Sequence, residues 1–397
     1  MSVTTSATLS ASALAVPHSR IRELAEIAMR MEGVYALYFG ESNLTTPEFI
    51  KRAAQKAMAD GFTRYTSNAG LPSTREAIAR YYDERHGVAL DPARELMVTA
   101  SGVQALSIGL RCLIDPGDEA LVLTPAWPNG SAIIQMAHGV VKQIPQVLRG
   151  GRYEIDYPAL EAALSPRTRL LLVTSPSNPL GWTATDDDQN RLLAFTRRHG
   201  LWLMADEVYE RLYYPEPAGK GPVVAPTFLR KATRDDAVIV VQSFSKTYCM
   251  TGWRLGWMAG RADFIARATQ LNEFAVSCPA GFTQRAAETA LLWGENAVRE
   301  LQAQFRANRD FCLQALRSVP GLTVPAPEGA FYLFPKVDGV TDSFEFCKRI
   351  LLETHVGLAP GVAFGAGGEG SIRLCYASDR TVLEPAMERL VSFLRAR

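Results

Sequence analysis

The 397-residue chain lacks most features that would mark it for a specialised partner or compartment. Its 42 lysines and arginines almost balance 41 acids, leaving a net charge of +1. Nucleic-acid binders usually carry a marked basic excess, so that class is excluded as a first reading. No apolar run reaches the length needed to span a bilayer. The six cysteines, Cys112, Cys249, Cys278, Cys312, Cys347 and Cys375, are scattered, with no CxxC pair. That speaks against a disulfide framework and for reduced thiols in a cytoplasmic protein. The five histidines are equally dispersed, and none pairs with another at metal-ligand spacing, so no metal is expected. The first sixteen residues are rich in Ser, Thr and Ala without an early basic cluster. They read as a mobile arm rather than a signal peptide.

What is present is an ordinary globular composition, 47% apolar and 21% charged, in a chain too long for most single cores. Two domains are therefore expected. Apolar runs at 96–99, 120–123, 170–173, 201–204 and 238–241 read as strands. Helical periodicity over 103–114, 131–137, 157–163 and 186–199 separates them. Strands that are apolar throughout and alternate with helices indicate an α/β fold, a mostly parallel sheet with helices on both faces. Past Pro279 the alternation stops: 283–317 is nearly continuous helical sequence, and the remainder reads as a smaller α+β unit. The helix predicted from Ser19 to Glu32 has no obvious partner in the large sheet and is expected to pack with that smaller unit.

Ligands of such sheets bind beyond the carboxyl ends of the strands, and four stretches there carry chemistry. Ser101-Gly102 opens a helix, where free backbone amides suit a phosphate, although small residues also simply make turns. Asp206 ends an apolar strand, where a carboxylate must be solvated or paired; a helix cap or structural ion pair would serve equally. Asn178, in SNPLG, has the turn residue as its plain alternative. Lys246 follows the strand ending at Ser243, between Ser245 and a downstream Arg254. Taken together they form one chemical set. An amine forms a Schiff base with an aldehyde, a carboxylate holds a pyridinium nitrogen protonated, and hydroxyls, an arginine and a helix N-terminus hold a phosphate. That is the inventory for pyridoxal 5′-phosphate (PLP).

Ser243-x-Ser245-Lys246 with Arg254 eight residues on, preceded by Asn178-Pro179-x-Gly181 and Asp206-x-x-Tyr209, resembles the class I aminotransferases of PLP fold type I, in order over nearly the whole chain. The resemblance implies a large PLP-binding domain over 45–285, a small domain over 286–397, and an N-terminal segment, 1–44, that joins the latter. It implies that Lys246 forms the Schiff base and shuttles the proton, with a pyridoxamine intermediate between amino acid and 2-oxo acid. Asp206 would pair with the ring nitrogen, Asn178 and Tyr209 would bond the 3′-oxygen, and Trp127 would stack on the ring. Ser101, Gly102, Val103, Ser243, Ser245 and Arg254 would bind the phosphate, joined by Tyr65 from the neighbouring subunit of a homodimer. Arg373 would clamp the substrate α-carboxylate, with Gly40 offering its backbone.

Two departures stand out. The segment after Gly102, Val103-Gln104-Ala105-Leu106, has no cation where some aspartate-type members carry a lysine. SNPLG has leucine where threonine is more usual. An aminotransferase is the leading expectation. A C–S β-lyase of the same fold would use the same cofactor residues, and a PLP-binding regulator would be expected to carry a basic DNA-binding segment ahead of Gly40, where none is seen.

Overall fold

The computed structural model describes residues 9–10, 13–14, 16–215 and 223–397. Much of the expected N-terminal arm, and residues 216–222 of the Pro/Gly-rich loop after Asp206, lie outside the described residues.

The central sheet has seven strands: β1 (Leu96–Thr99), β2 (Glu119–Thr124), β3 (Val140–Pro145), β4 (Thr168–Thr174), β5 (Trp202–Asp206), β6 (Val238–Ser243) and β7 (Gly256–Gly260). Their order across the sheet is β1-β7-β6-β5-β4-β2-β3. The pairings β3 with β2, β2 with β4, β4 with β5 and β5 with β6 are parallel, while β7 is antiparallel to both β6 and β1. Strands β1, β2, β6 and β7 are buried at every residue, because helices cover both faces. Each fully buried valine, leucine or isoleucine there contributes roughly 1.5–3 kcal/mol relative to exposure. The α/β architecture with its mostly parallel sheet is as expected.

Strand β7, in Gly256-Trp257-Met258-Ala259-Gly260, has no β-branched residue and was not anticipated as a strand. Its glycines are explained by crowding. A Cβ on Gly256 would lie 2.5 Å from the Gln242 carbonyl and 2.7 Å from the Gly102 nitrogen. The reversal brings the start of β7, and Arg254 before it, to the edge where the parallel strands end.

Local signals place the surrounding helices. Asp186–His199 begins with a capping box between Thr185 and Asp188, has three aspartates in its first turn, and ends in Arg197, Arg198 and His199 before a left-handed Gly200. The stretch expected as one helix from 283 to 317 is two, Gly281–Trp293 and Glu295–Arg317, with the break at Gly294. Side-chain periodicity continues across the break; a Cβ at Gly294 would strike the Tyr248 ring at 2.8 Å, so this junction is held by packing that a linear reading does not reveal.

Beyond the sheet, Tyr332–Leu333, Ile372–Cys375 and Ala359–Pro360 form a small antiparallel sheet. The N-terminal segment is stitched to it. Tyr35–Ala36 pairs with Val356–Gly357, and the Cys375 amide donates to the Leu37 carbonyl at 3.0 Å. The helix Arg20–Ala28, capped by Ser19, packs against Ala359–Pro360 but also places Ile21, Ala25 and Ala28 in the core beneath β2 and β4. This segment thereby delivers Tyr38, Phe39 and Gly40 over the carboxyl edge of the large sheet.

Candidate active site

A cleft of about 570 Å³ opens at that edge. Gly40, Gly102, Val103, Trp127, Asn178, Asp206, Tyr209, Ser243, Ser245, Lys246, Arg254 and Arg373 all line it. Ser101 and Tyr65 do not. The Ser101 hydroxyl is turned into the helix, accepting from the Gln104 amide at 3.1 Å. Tyr65 is 89% exposed on the outer surface.

Each lining group is set by its element. Helix Gly102–Leu113 starts directly after β1, and among the described residues the amides of Gly102 and Val103 have no backbone or side-chain acceptor. Ser101 ahead of them has φ 116° and ψ 160°, a region occupied almost solely by glycine and costing on the order of 1–3 kcal/mol. Such strain points the first turn's donors into the cleft. On the next strands, the Ser243 hydroxyl donates to the Ser245 hydroxyl at 2.8 Å and accepts from the Ser245 amide at 3.1 Å. Arg254, in a left-handed conformation, is tied to the Thr251 carbonyl at 2.5 Å. Two free amides, two hydroxyls and a guanidinium therefore face one region, as an anion requires.

Asp206 is 5% exposed, and the Val208 amide donates to one of its oxygens at 3.4 Å. Burial raises its carboxyl to about 6, against smaller lowering effects from that amide and from Lys246. The Lys246 amine donates to the Gly40 carbonyl at 2.6 Å and lies 5.8–5.9 Å from the ring centres of Phe331 and Tyr209. Enclosure among these groups lowers its pKa to about 8.

Arg373, 2% exposed, donates to Asn178 Oδ1 at 2.9 Å and to the Tyr38 carbonyl. Its guanidinium lies over the rings of Tyr332 (4.5 Å) and Phe364 (4.9 Å). No carboxylate of the described residues pairs with it. A buried, uncompensated cation beside a cleft is poised for an anionic ligand.

Tyr332 was not anticipated, since it lies within an apolar run with no polar neighbour to mark it. Its hydroxyl is 2.8 Å from that of Tyr209, and burial holds both phenols well above their ordinary pKa. The same hydroxyl occupies the space that a Cβ on Gly40 would need. Gly40 is a glycine because Tyr332 is there. Arg22, Tyr38, Phe39 and Glu41 also line the cleft without having been singled out, because only the fold brings the N-terminal segment over the sheet.

The family model for aminotransferase class I and II matches residues 33–390. This chain belongs to the class I and II aminotransferases. It is 34% identical to the aspartate aminotransferase of Pyrococcus abyssi over 95% of this chain and 96% of that one. It is 31% identical to aromatic-amino-acid aminotransferase 2 of Thermococcus litoralis, again over 95% and 96%. The solved aspartate aminotransferase of Thermus thermophilus with maleate superposes with a TM-score of 0.90 at 31% identity, covering 98% of this chain and all of that one. This aminotransferase thus has both the sequence and the fold of enzymes that transfer amino groups with PLP, a family that acts on small molecules. Among its described residues no helix is long and apolar enough to cross a membrane.

Proposed function

We propose that this aminotransferase binds PLP in the cleft at the carboxyl edge of the sheet and moves an amino group between an L-amino acid and a 2-oxo acid there. The observation that carries the reading is the convergence on one cleft of an enclosed amine, a buried carboxylate, an anion cradle and an uncompensated arginine. The donor set fits the cofactor. Bound PLP supplies an aldehyde that takes up an amine and a ring that withdraws electrons from the substrate Cα.

The chain's own residues do the rest. Lys246 provides the amine that holds the aldehyde and, with its pKa lowered to about 8, carries the Cα proton off and back near neutral pH. Asp206 keeps the ring nitrogen protonated. Gly102, Val103, Ser243, Ser245 and Arg254 hold the phosphate, with Ser101 setting the turn. Asn178 and Tyr209 bond the ring's 3′-oxygen, and Trp127 covers one ring face. Arg373 takes the substrate carboxylate beside Gly40. The N-terminal segment, 1–44, and the small domain, 286–397, together close on the large domain, 45–285, when substrate binds, since Gly40 and Arg373 come from outside it.

A homodimer with shared sites is part of the proposal. Tyr65 and Phe274 are 89% and 88% exposed, and the Asn272 side chain donates to the Asn68 carbonyl at 2.8 Å, so their loop and helix form one surface. Exposed aromatics so placed suit an interface, from which Tyr65 reaches the partner's phosphate. All six cysteines are unpaired, which supports a cytoplasmic setting.

The test is a half-reaction. Purified enzyme loaded with PLP and given an amino acid alone should release about one 2-oxo acid per site and stop, resuming when an oxo acid is added. Continuous release of pyruvate and thiol from a cysteine conjugate would instead establish a β-lyase.

A further inference from the structure

Among the described residues four side-chain cations line the cleft: Arg22, Lys246, Arg254 and Arg373. The reading above occupies three of them with the aldehyde, the phosphate and the α-carboxylate. Arg22 has no such occupant. It lies in the first turn of the helix Arg20–Ala28, where its amide donates to the capping Ser19 hydroxyl at 3.3 Å, so its backbone is fixed at the cleft. Its guanidinium lies 5.2 Å from the centre of the Phe39 ring. Phe39 sits between Tyr38, whose carbonyl takes Arg373, and Gly40, whose carbonyl takes Lys246. The fourth cation is therefore stacked on the same short segment that touches two of the other three, Lys246 and Arg373.

No carboxylate of the described residues lies within ion-pairing distance of Arg22. Glu23 pairs with Arg20 at 3.1 Å, and Glu41, the acid at this part of the cleft, accepts from the Thr251 hydroxyl. The helix after Ser101 contributes Gly102, Val103 and Leu106 to the lining and no charge. Among the described residues a second negative group on a substrate has one unclaimed cation to meet, and it comes from the N-terminal helix.

We propose that Arg22 forms a subsite for a distal carboxylate, so that the enzyme takes dicarboxylic amino acids and 2-oxo acids, with the α-carboxylate on Arg373 and the distal one on Arg22. This rests on the aminotransferase reading and on Arg373 as the α-carboxylate site. A guanidinium stacked on an aromatic face keeps its hydrogen-bonding edges free for a planar anion.

The test compares substrates that differ in charge and hardly in shape. Wild type, Arg22→Gln and Arg22→Lys, loaded with PLP, are assayed with aspartate and glutamate against asparagine and glutamine. Binding of maleate is measured beside that of isocrotonate, which has one carboxylate fewer. The ratio of kcat/KM for acid over amide donors should fall about 10- to 100-fold in Arg22→Gln, chiefly through KM, the span of one hydrogen bond to a charged group. Arg22→Lys should retain part of it. Maleate affinity should fall by a similar factor and isocrotonate affinity far less. Equal losses for acid and amide donors, or an unmoved ratio with unmoved maleate affinity, would overturn the subsite. Release of no oxo acid by wild type from any donor would overturn the transamination reading instead, and maleate binding, which needs no turnover, still decides Arg22 separately.

Discussion

At the inner end of the cleft Asp206, Asn178, Tyr209 and Arg373 are 5% exposed or less and each is fixed by a protein partner, whereas the lining residues Arg22 and Arg254, and Tyr65 on the outer surface, stand in solvent. The inner groups are pre-organised by burial, which raises the pKa of Asp206 and Tyr209 and leaves Arg373 without a counter-ion among the described residues. The outer groups keep ordinary solvation and are held mainly by the backbone that carries them. Chemistry common to all substrates belongs where geometry is rigid; discrimination among substrates and contact with a second subunit belong where side chains meet incoming groups.

The largest break in that comparison is at its centre. Lys246→Ala should lower turnover by about four orders of magnitude or more, because no other lysine of the described residues lines the cleft. Single-turnover kinetics and loss of the lysine-bound cofactor's absorption would check this; retention of both would refute the assignment.

A smaller break tests the rigidity of the inner end. Gly40→Ala places a methyl group on the Tyr332 hydroxyl and should cost about 100-fold in kcat/KM by displacing the Lys246 and Arg373 contacts. Tyr332→Phe on that background removes the overlapping oxygen, leaving the ring's Cζ at 3.2 Å, and should recover part of the loss. Additive losses in the double variant would show that the two residues do not share the space.

The electrostatic side of the comparison is visible without turnover. Asp206 has a folded-state pKa of about 6 against 3.8 unperturbed, so in the cofactor-free protein the folded state binds its proton more tightly than the unfolded state. Its contribution to stability is fully present below pH 4 and is lost as pH rises through 6, a difference on the order of 3 kcal/mol. Cofactor-free Asp206→Asn should therefore exceed wild type in Tm at pH 7, and the gap should shrink as pH falls from 6 to 4. Lys246 acts in the opposite sense: its contribution is present above pH 10.5 and lost as pH falls through about 8. A Tm gap independent of pH would contradict the burial of Asp206 as a charge.

The smallest expected effect belongs to the exposed outer surface. Tyr65→Phe should weaken PLP binding about three- to tenfold, the worth of an ordinary hydrogen bond at a solvated site. Equilibrium titration of the apoprotein would measure it, and sedimentation on the same samples would report whether the dimer persists. Unchanged affinity in an intact dimer would remove Tyr65 from the phosphate site.

Residues at strand ends were the most legible part of the molecule. An apolar run that stops at Asp206 or Ser243 declares both the strand and the group it presents, and periodicity fixed Asp186–His199 to the residue. Less legible was whatever depends on crowding. Strand β7 is glycine-rich because its neighbours press on it, so propensity pointed away from a strand. Gly294 breaks a helix whose periodicity runs on undisturbed. Tyr332 and Arg22 look like a core aromatic and a surface charge until the N-terminal segment is laid over the sheet. Neither has a signature in its own neighbourhood.

Reversal of β7 has a practical consequence for engineering. Gly256 pairs with Ser243, so the chain leaves the sheet and re-enters it at the same level. The intervening loop, with Lys246 and Arg254 near its two feet, is a cassette whose ends are fixed in register by the strands on either side. It could be exchanged between relatives as one block with the spacing of amine and guanidinium preserved. Grafting the substrate end is harder, because Arg22, Gly40, Tyr332 and Arg373 come from distant parts of the chain and would have to move together.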